Sequence, residues 1–483
     1  MPFILGTNSI KDTTYEVANS LRFNKGSSDY LNLTFGTSTS TKKCTYSCWV
    51  KRSRLDDDGG QYLFTFNDSG NAIYFNGSGT GAGSNEELVI NSDSNFAFYT
   101  DDLYRDTSAW YHVVVAVDTT QGTASNRVKL YVNNVQVTSF GTATYPSQNA
   151  DFNNLFSSNG VHEIGRGTAT GGTEYFGGYM AEVVFIDGQQ LDPTSFGEFD
   201  SDTNIWKPKN VSGLTFGNNG FYLDFENSSS LGADVSGNGN NFSVNNLTSI
   251  DQSTDTCTNN FPTMNPLILG SGTTLSEGNL QLNPGTNSTG FHSASTIGVS
   301  TGKWYWEAKL VSGTKGAFGI IFDGSSGNVF EHQRNNKMPG GFSGNANSWG
   351  YKPGNSGNVE NNAADISFSG VTATSSNILG FAMDLDNDAL YIHKDGTYMN
   401  SGNPTSGSSK TGAIDLSGGE AGFVFPAYGD SDTGASPSAA YNFGSPPYSE
   451  SGGESDADGH GNFNQAVPSG YFAICSKNLA EYG

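Results

Sequence analysis

The string closest to a paired-carboxylate catalytic site in this chain is Glu198-Phe199-Asp200-Ser201-Asp202. Retaining glycoside hydrolysis needs two carboxylates about 5 Å apart, and alternate residues of one strand, as in Glu-x-Asp-x-Glu, would supply them. Here the last acid is Asp, and the string follows a Pro193-Thr194-Ser195 turn outside any clear strand. A solvated acidic loop is therefore the preferred reading. Asp384, Asp386 and Asp388 have the opening spacing of a calcium loop, but Ala389 stands where its sixth position requires glycine, so a plain hairpin turn is preferred there. His112 lies within an apolar run and reads as a packed, hydrogen-bonded histidine. Neither a Gly-x-Ser-x-Gly elbow in strand-turn-helix context nor a phosphate-binding glycine loop is present. On these residues the chain is not an enzyme.

Sugar recognition uses aromatic faces beside Asn, Asp and Gly donors and acceptors. Trp349 and Tyr351, with Asn347, fit that description in GFSGNANSWGYKPGNSG, which reads as a long polar loop. The competing reading places Trp349 over the core. Tyr99, Tyr104 and Tyr175 are further candidates of the same kind.

The elements that must position such residues are strands. In WYHVVVAVD, Val113, Val115 and Val117 point one way and His112, Val114 and Ala116 the other. Both faces are largely apolar, which predicts a central strand in a two-layer stack. The next strand, 127–132, ends at Asn133-Asn134, residues that tolerate the positive φ of a tight hairpin. Short alternating runs such as YLNLTF, QYLFTF, AIYF, ELVI and FAFYT, separated by Gly, Ser, Asn and Asp, predict a sandwich. The run YFGGYMAEVVFIDGQQLDP closes the set, with Tyr179, Ala181, Val183 and Phe185 expected on one face. A second series begins with KWYWEAKL, where Trp304, Trp306 and Ala308 share a face, and continues through ILGFAMDLDNDALYIHKDG and GFVFPAYG. Helical periodicity and heptads are absent. The expected architecture is all-β, with two jelly-roll or β-sandwich domains. The boundaries read as an N-terminal lead 1–17, a sandwich 18–205, an irregular but ordered Gly/Asn-rich connector 206–300, and a second sandwich 301–483.

The chain has 483 residues, more than one core accommodates. Lys and Arg number 23 against 47 Asp and Glu, a net charge of −24. That balance excludes an open nucleic-acid surface, which needs basic density. No apolar run is long enough to span a bilayer, and Met1–Gly6 lacks the features of a signal peptide. The four cysteines show no metal spacing. Cys44 and Cys48 in an extended segment would lie about 13 Å apart on one face, too far for a disulfide, so reduced, buried thiols are expected.

Two resemblances follow from these motifs. Trp110-Tyr111-His112-Val113, Asp118, Leu130-Tyr131-Val132-Asn133 and the closing FGGYMAEVVFIDGQQL resemble the laminin-G, concanavalin-like jelly roll. GKWYWEAKL, the LGFAMDLDNDALYIHKDG hairpin and the terminal AYNFG resemble a SPRY domain. The tandem, joined by DVSGNGNNFSVNNL and TNNFPTMNP, is similar to structural proteins of tailed bacteriophages of the marine type. The resemblance implies a non-enzymatic virion protein, of a tail fibre, tail tip or similar element, assembled in the host cytoplasm. Its implied partners are other virion proteins and host-surface glycans, with homo-oligomerisation by analogy to fibres. A capsid or tail decoration protein touching only other virion proteins is the alternative, and a polysaccharide depolymerase a third. No cofactor is required. The laminin-G resemblance does imply a rim site for Ca2+, for which Asp56, Asp57 and Asp58, or Asp101 and Asp102, would supply oxygen ligands. SPRY domains bind through loops at one end of the sandwich, which places Trp349 and Tyr351 in the implied binding region.

Overall fold

The computed structural model describes residues 10, 14–55, 59–66, 68–77, 86–92, 96–152, 160–167, 174–285, 289–325, 327–430, 437–449 and 452–483. These fall into two compact units, Ile10–Thr258 and Asn259–Gly483. Both are β-sandwiches, and their short helices include Val329–Arg334 and Ser476–Tyr482. No helix among the described residues is long and apolar enough to cross a membrane.

In the first unit the central sheet runs Val135–Gln136, Val128–Val132, Trp110–Asp118, Lys43–Arg52, Gly178–Asp187, Ser20–Phe23 and Gln252–Ser253, with Phe221–Leu223 pairing with Gly178–Asp187. Trp110–Asp118 is central, as its two apolar faces require. Val113, Val115 and Val117 enter the core between the sheets, and Val114 packs on the opposite face with Val184 and Ile186. Asn133 and Asn134 have φ of 48° and 68° at the hairpin tip, the left-handed pair that matches a tight turn to strand twist. The second sheet runs Phe140–Thr144, Phe96–Leu103, Glu87–Ser92, Asp68–Phe75, Gln61–Phe66, Val161–Ile164, Tyr30–Thr34 and Ser243–Asn245. Between the sheets lie Leu31, Phe35, Tyr46, Cys48, Phe64, Phe66, Ile73, Phe98 and Phe185. Cys44, Cys48, Cys257 and Cys475 are free and buried.

Two expectations change here. Tyr179 and Ala181 pack on the outer face of the central sheet, whereas Val183 and Phe185 enter the core. The register against Lys43–Arg52 shifts between Ala181 and Val184, and Glu182 takes φ of 50°. One extra residue in a bulge exchanges the faces of a period-2 pattern. The described residues of 206–300 are largely irregular, and each half of the stretch packs onto its own unit. Phe221–Leu223 and Gln252–Ser253 join the first unit's central sheet, while Gln281–Asn283 and Gly290–Ala294 join sheets of the second. The lead is likewise part of the first unit from Tyr15 onward, where Val17 N–H donates to Thr258 Oγ1 at 3.1 Å.

In the second unit one sheet runs Thr274–Ser276, Gln281–Asn283, Ala439–Asn442, Lys303–Leu310, Leu379–Asp384, Ala389–Lys394 and Thr397–Tyr398, with Phe472–Ala473 parallel to Lys303–Leu310. The other runs Gly290–Ala294, Val424–Asp430, Gly316–Phe322, Ser348–Lys352, Asn358–Asn361 and Ala364–Ile366. Trp304, Trp306 and Ala308 share the core face, as the alternation predicts. Glu307, on the other face, accepts from Tyr305 Oη, Asn442 Nδ2 and the Asn464 and Gln465 N–H groups at 2.8–3.1 Å. Burial still pushes its carboxyl up to about 6 against those bonds.

Candidate functional site

The Asp384 to Asp388 segment is a hairpin turn. Asp384 is fully buried, pairs with Lys303 at 3.0 Å and caps Asn387, and Asp388 takes φ of 49°. The acidic string at 198–202 is also structural. Glu198 lies in a short strand, Gly197–Phe199, and pairs with Lys207 at 3.0 Å. Asp200 is not solvated: it is 1 % exposed and its Oδ1 accepts from the N–H groups of Asp202 and Thr203. Neither acid is disposed as a nucleophile or proton donor.

His112 is packed and bonded at both ring nitrogens. The Trp206 indole N–H, which can only donate, reaches Nδ1 at 3.0 Å, so Nε2 carries the proton and donates to Ser47 Oγ at 2.8 Å. Burial drives its pKa down to about 3, consistent with the neutral ring.

Trp349 and Tyr351 do not occupy a loop. They lie in the strand Ser348–Lys352 and are 4 % and 1 % exposed, facing the core with Phe322 and Val359. Gly350 between them is not a loop signal either. A Cβ there would stand 2.1 Å from Pro339 O, so the residue is Gly because neighbouring backbone crosses the strand. Asn347 is buried and its Oδ1 accepts from Glu420 N–H at 2.9 Å. Tyr104 packs in the first unit's core, and its carbonyl accepts from Arg52. None of these four presents a ring or amide to a ligand. The Tyr351 hydroxyl donates to Val371 O. Tyr351→Phe is therefore expected to cost the second unit about 1 kcal/mol, the usual worth of one hydrogen bond. A lowered denaturant midpoint checks this.

Of the calcium candidates, Asp56, Asp57 and Asp58 lie outside the described residues. Asp101 and Asp102 are exposed neighbours at the end of Phe96–Leu103, and Asp101 accepts from Ser139 Oγ. Among the described residues no group of three or more His, Cys, Asp or Glu side chains is placed to hold a metal ion.

Aromatic and amide side chains do line up on the outer face of the first unit's second sheet, where Tyr62, Tyr74, Val89, Ala72 and Thr65 are buried and Tyr30, Asn32, Asn91 and Tyr99 are half-buried. The cross-strand register aligns Tyr62, Tyr74, Val89 and Tyr99 in one row. A second row runs Asn32, Glu163, Thr65, Ala72, Asn91 and Ala97. The alternate residues Phe64, Ile73, Ile90 and Phe98 fill the core behind them. Tyr62 and Tyr74 stack with centroids 4.8 Å apart and planes 19° from parallel, and Tyr99 packs beside them. Gly167 makes room, since a Cβ there would stand 2.6 Å from the Tyr62 ring. Burial and then nearby carboxylate or phenol charge raise the Tyr62 and Tyr74 hydroxyls above their usual range.

Toward the other end of the face, Tyr30 and Tyr175 approach to 6.2 Å, and the Arg166 guanidinium lies 4.1 Å from the Tyr30 centroid. Arg166 also pairs with Glu163 at 3.0 Å. Burial lifts the Glu163 carboxyl above its usual range, with Arg166 opposing. Glu174 accepts from Gly60 N–H at 3.0 Å. Tyr30, Asn32, Asn91, Ala97 and Tyr99 are half-buried, which leaves rings and amides accessible on a rigid sheet. Asn32 and Ala97 stand five strands apart, about 24 Å at the usual spacing, a span that suits an oligosaccharide. Such a face stacks on sugar C–H surfaces while amides and carboxylates bond hydroxyls. Of the residues singled out in the sequence, the structure brings Tyr99 and Tyr175 to this side of the sheet, Tyr99 half-buried and Tyr175 buried. Tyr30, Tyr62, Tyr74, Asn32 and Asn91 were missed. Their signal, an aromatic or amide on the face opposite the apolar alternation, gains meaning only once the strands are in register.

Residues 25–191 match the model of the concanavalin A-like lectin/glucanases superfamily. No curated protein matches the chain. Among solved structures, a putative carbohydrate binding protein from Bacteroides ovatus is 18 % identical over 48 % of this chain and 59 % of its own, with a TM-score of 0.36. The SPRY domain of human HERC1 is 13 % identical over 37 % of this chain and 96 % of its own, with a TM-score of 0.29. A pentraxin from Limulus polyphemus is 16 % identical over 37 % and 80 %, with a TM-score of 0.25.

Proposed function

We propose that this protein is a non-enzymatic surface protein of a virion, and that its first sandwich binds host-surface glycans through the tyrosine-lined face. The observation that carries the reading is the half-buried set Tyr99, Asn91, Asn32 and Tyr30 on the outer side of a sheet whose other side is the core, with the buried Tyr62–Tyr74 stack packed beside Tyr99. The match of residues 25–191 to a lectin and glucanase superfamily supports binding of sugar at that unit. Binding rather than hydrolysis is favoured because Glu163 is held by Arg166, and Glu198 and Asp200 by Lys207 and a turn. The virion setting is supported by the tandem of sandwich types with its Asn-rich junction, which resembles phage structural proteins. A weak site gains from display in many copies.

The test is glycan-array and calorimetric binding with the intact chain and its Tyr99→Ala variant. Tyr99 is half-buried, so its truncation spares the core. Affinity for the preferred glycan is expected to fall about tenfold, equal to 1.4 kcal/mol, with the melting temperature little changed. Binding that ignores Tyr99→Ala and Asn91→Ala would remove the face from the function.

A further inference from the structure

Resting on that reading, we infer that the tyrosine face selects neutral glycan chains and rejects carboxylated or sulfated ones. Four of the sheet's eight described strands come from residues 55–104, whose described acids are the exposed Asp101 and Asp102 and the buried Glu86 and Glu87, Glu86 being paired to Arg52. Asp101, two residues beyond Tyr99 on the same strand, is exposed. Arg166, the guanidinium within the face, is held by Glu163 at 3.0 Å and lies over the Tyr30 ring. A uronate or sulfate arriving there would displace an existing carboxylate to gain a cation. Arg54 packs its side chain against Gly177. Glu174 adds a carboxylate beside Tyr62, and the whole chain carries −24.

Arg54 and the exposed Arg105 oppose these carboxylates, but residues 10–258 hold 28 Asp and Glu against 14 Lys and Arg. Aromatic rings and amides recognise hydroxyls and C–H faces whatever the charge of the chain, whereas the surrounding field repels anions. At about 20 mM salt the screening length is about 20 Å, so the field extends across the face. Above 0.5 M it shrinks to a few ångströms and the discrimination should fade. A neutral hexose or N-acetylhexosamine chain meets no such barrier.

The experiment compares matched ligand pairs on the intact chain: dextran with dextran sulfate, and galactan oligomers with polygalacturonate oligomers. Each pair is measured at about 20 mM and 0.5 M salt, with Tyr99→Ala as the site control. At low salt the neutral member of the bound pair is expected to bind at least tenfold tighter, through Tyr99, with the ratio narrowing at high salt. An Asp101→Lys variant, altered at an exposed position, is expected to narrow the ratio at low salt. Equal or tighter Tyr99-dependent binding of the charged member would overturn the selectivity while leaving glycan binding at this face intact. If neutral and charged chains of such pairs, and of a broad glycan array, all show no Tyr99-dependent binding, the glycan reading fails and the selectivity fails with it.

Discussion

Asp255→Ala is expected to lower the stability of the first unit by about 3–5 kcal/mol, the cost of leaving a buried charge without its partner. Lys51 and Asp255 are 1 % and 2 % exposed at their side chains and meet at 2.6 Å, and the Trp110 indole N–H reaches the same carboxylate at 3.3 Å. The Lys51 ammonium also lies 5.7 Å from the Tyr179 centroid. The Asp255 carbonyl accepts from Ser20 Oγ at 2.6 Å, fastening segment 252–258 to the strand Ser20–Phe23 that it extends. For a unit of this size, each kcal/mol shifts the melting temperature by about 2–4 °C, so a fall of about 10 °C is expected. Lys51→Met combined with Asp255→Ala should recover much of that loss, because replacing both charges removes the desolvation penalty together with the attraction. A single variant melting within 2 °C of the parent would show that the pair is not desolvated as its geometry implies.

The fold was legible wherever one residue type repeats at the strand period. Val113, Val115 and Val117, and Trp304, Trp306 and Ala308, sit where alternation places them. Alternation failed in one closing strand because Glu182 adds a residue without a glycine to announce it, and Val183 and Phe185 exchanged faces with Tyr179 and Ala181. The candidate site was read less well, for a related reason. Trp349 and Tyr351 read as loop residues because Gly, Asn and Ser surround them, yet those residues make the turns at either end of a buried strand and the close crossing at Gly350. The tyrosine face is the converse case. Tyr62, Tyr74 and Tyr99 come from three strands separated in sequence, and only the pairings Tyr62 to Tyr74, Tyr74 to Val89 and Val89 to Tyr99 make them one surface. Composition showed the aromatic material, but register decided which face received it.

The bulge that exchanged those faces also gives the first unit an unusual dependence on pH. Glu182 is 6 % exposed in a left-handed backbone conformation, a strained arrangement that surrounding contacts must hold. Tyr15 Oη and Tyr222 Oη reach its Oε2 at 2.7 and 2.8 Å and each other at 2.9 Å. With the carboxylate ionised, two phenol protons serve three oxygen–oxygen contacts. One added proton completes a closed ring of three hydrogen bonds and removes a buried charge. Burial drives the Glu182 carboxyl up to about 7, with Asp224 and Glu226 adding to the rise and the two phenols opposing it. The sign follows from proton linkage. The folded state holds this proton more tightly than the unfolded chain, whose value is near 4.5, so the stabilisation is complete below about 4.5 and is lost as pH rises to about 7. Across that window the loss is about 3 kcal/mol, at 1.36 kcal/mol per pKa unit. His112, held neutral with its pKa near 3, acts oppositely, because the unfolded chain takes up its proton below about 6.5. The parent's own pH profile therefore mixes the two, and the informative quantity is the difference between the parent and Glu182→Gln. The amide keeps the shape and cannot ionise, so its advantage over the parent should grow steadily from pH 4.5 to 7 in denaturant titrations. A difference that stays flat across that range would mean that Glu182 is ionised throughout and that the two tyrosines, rather than a proton, satisfy it.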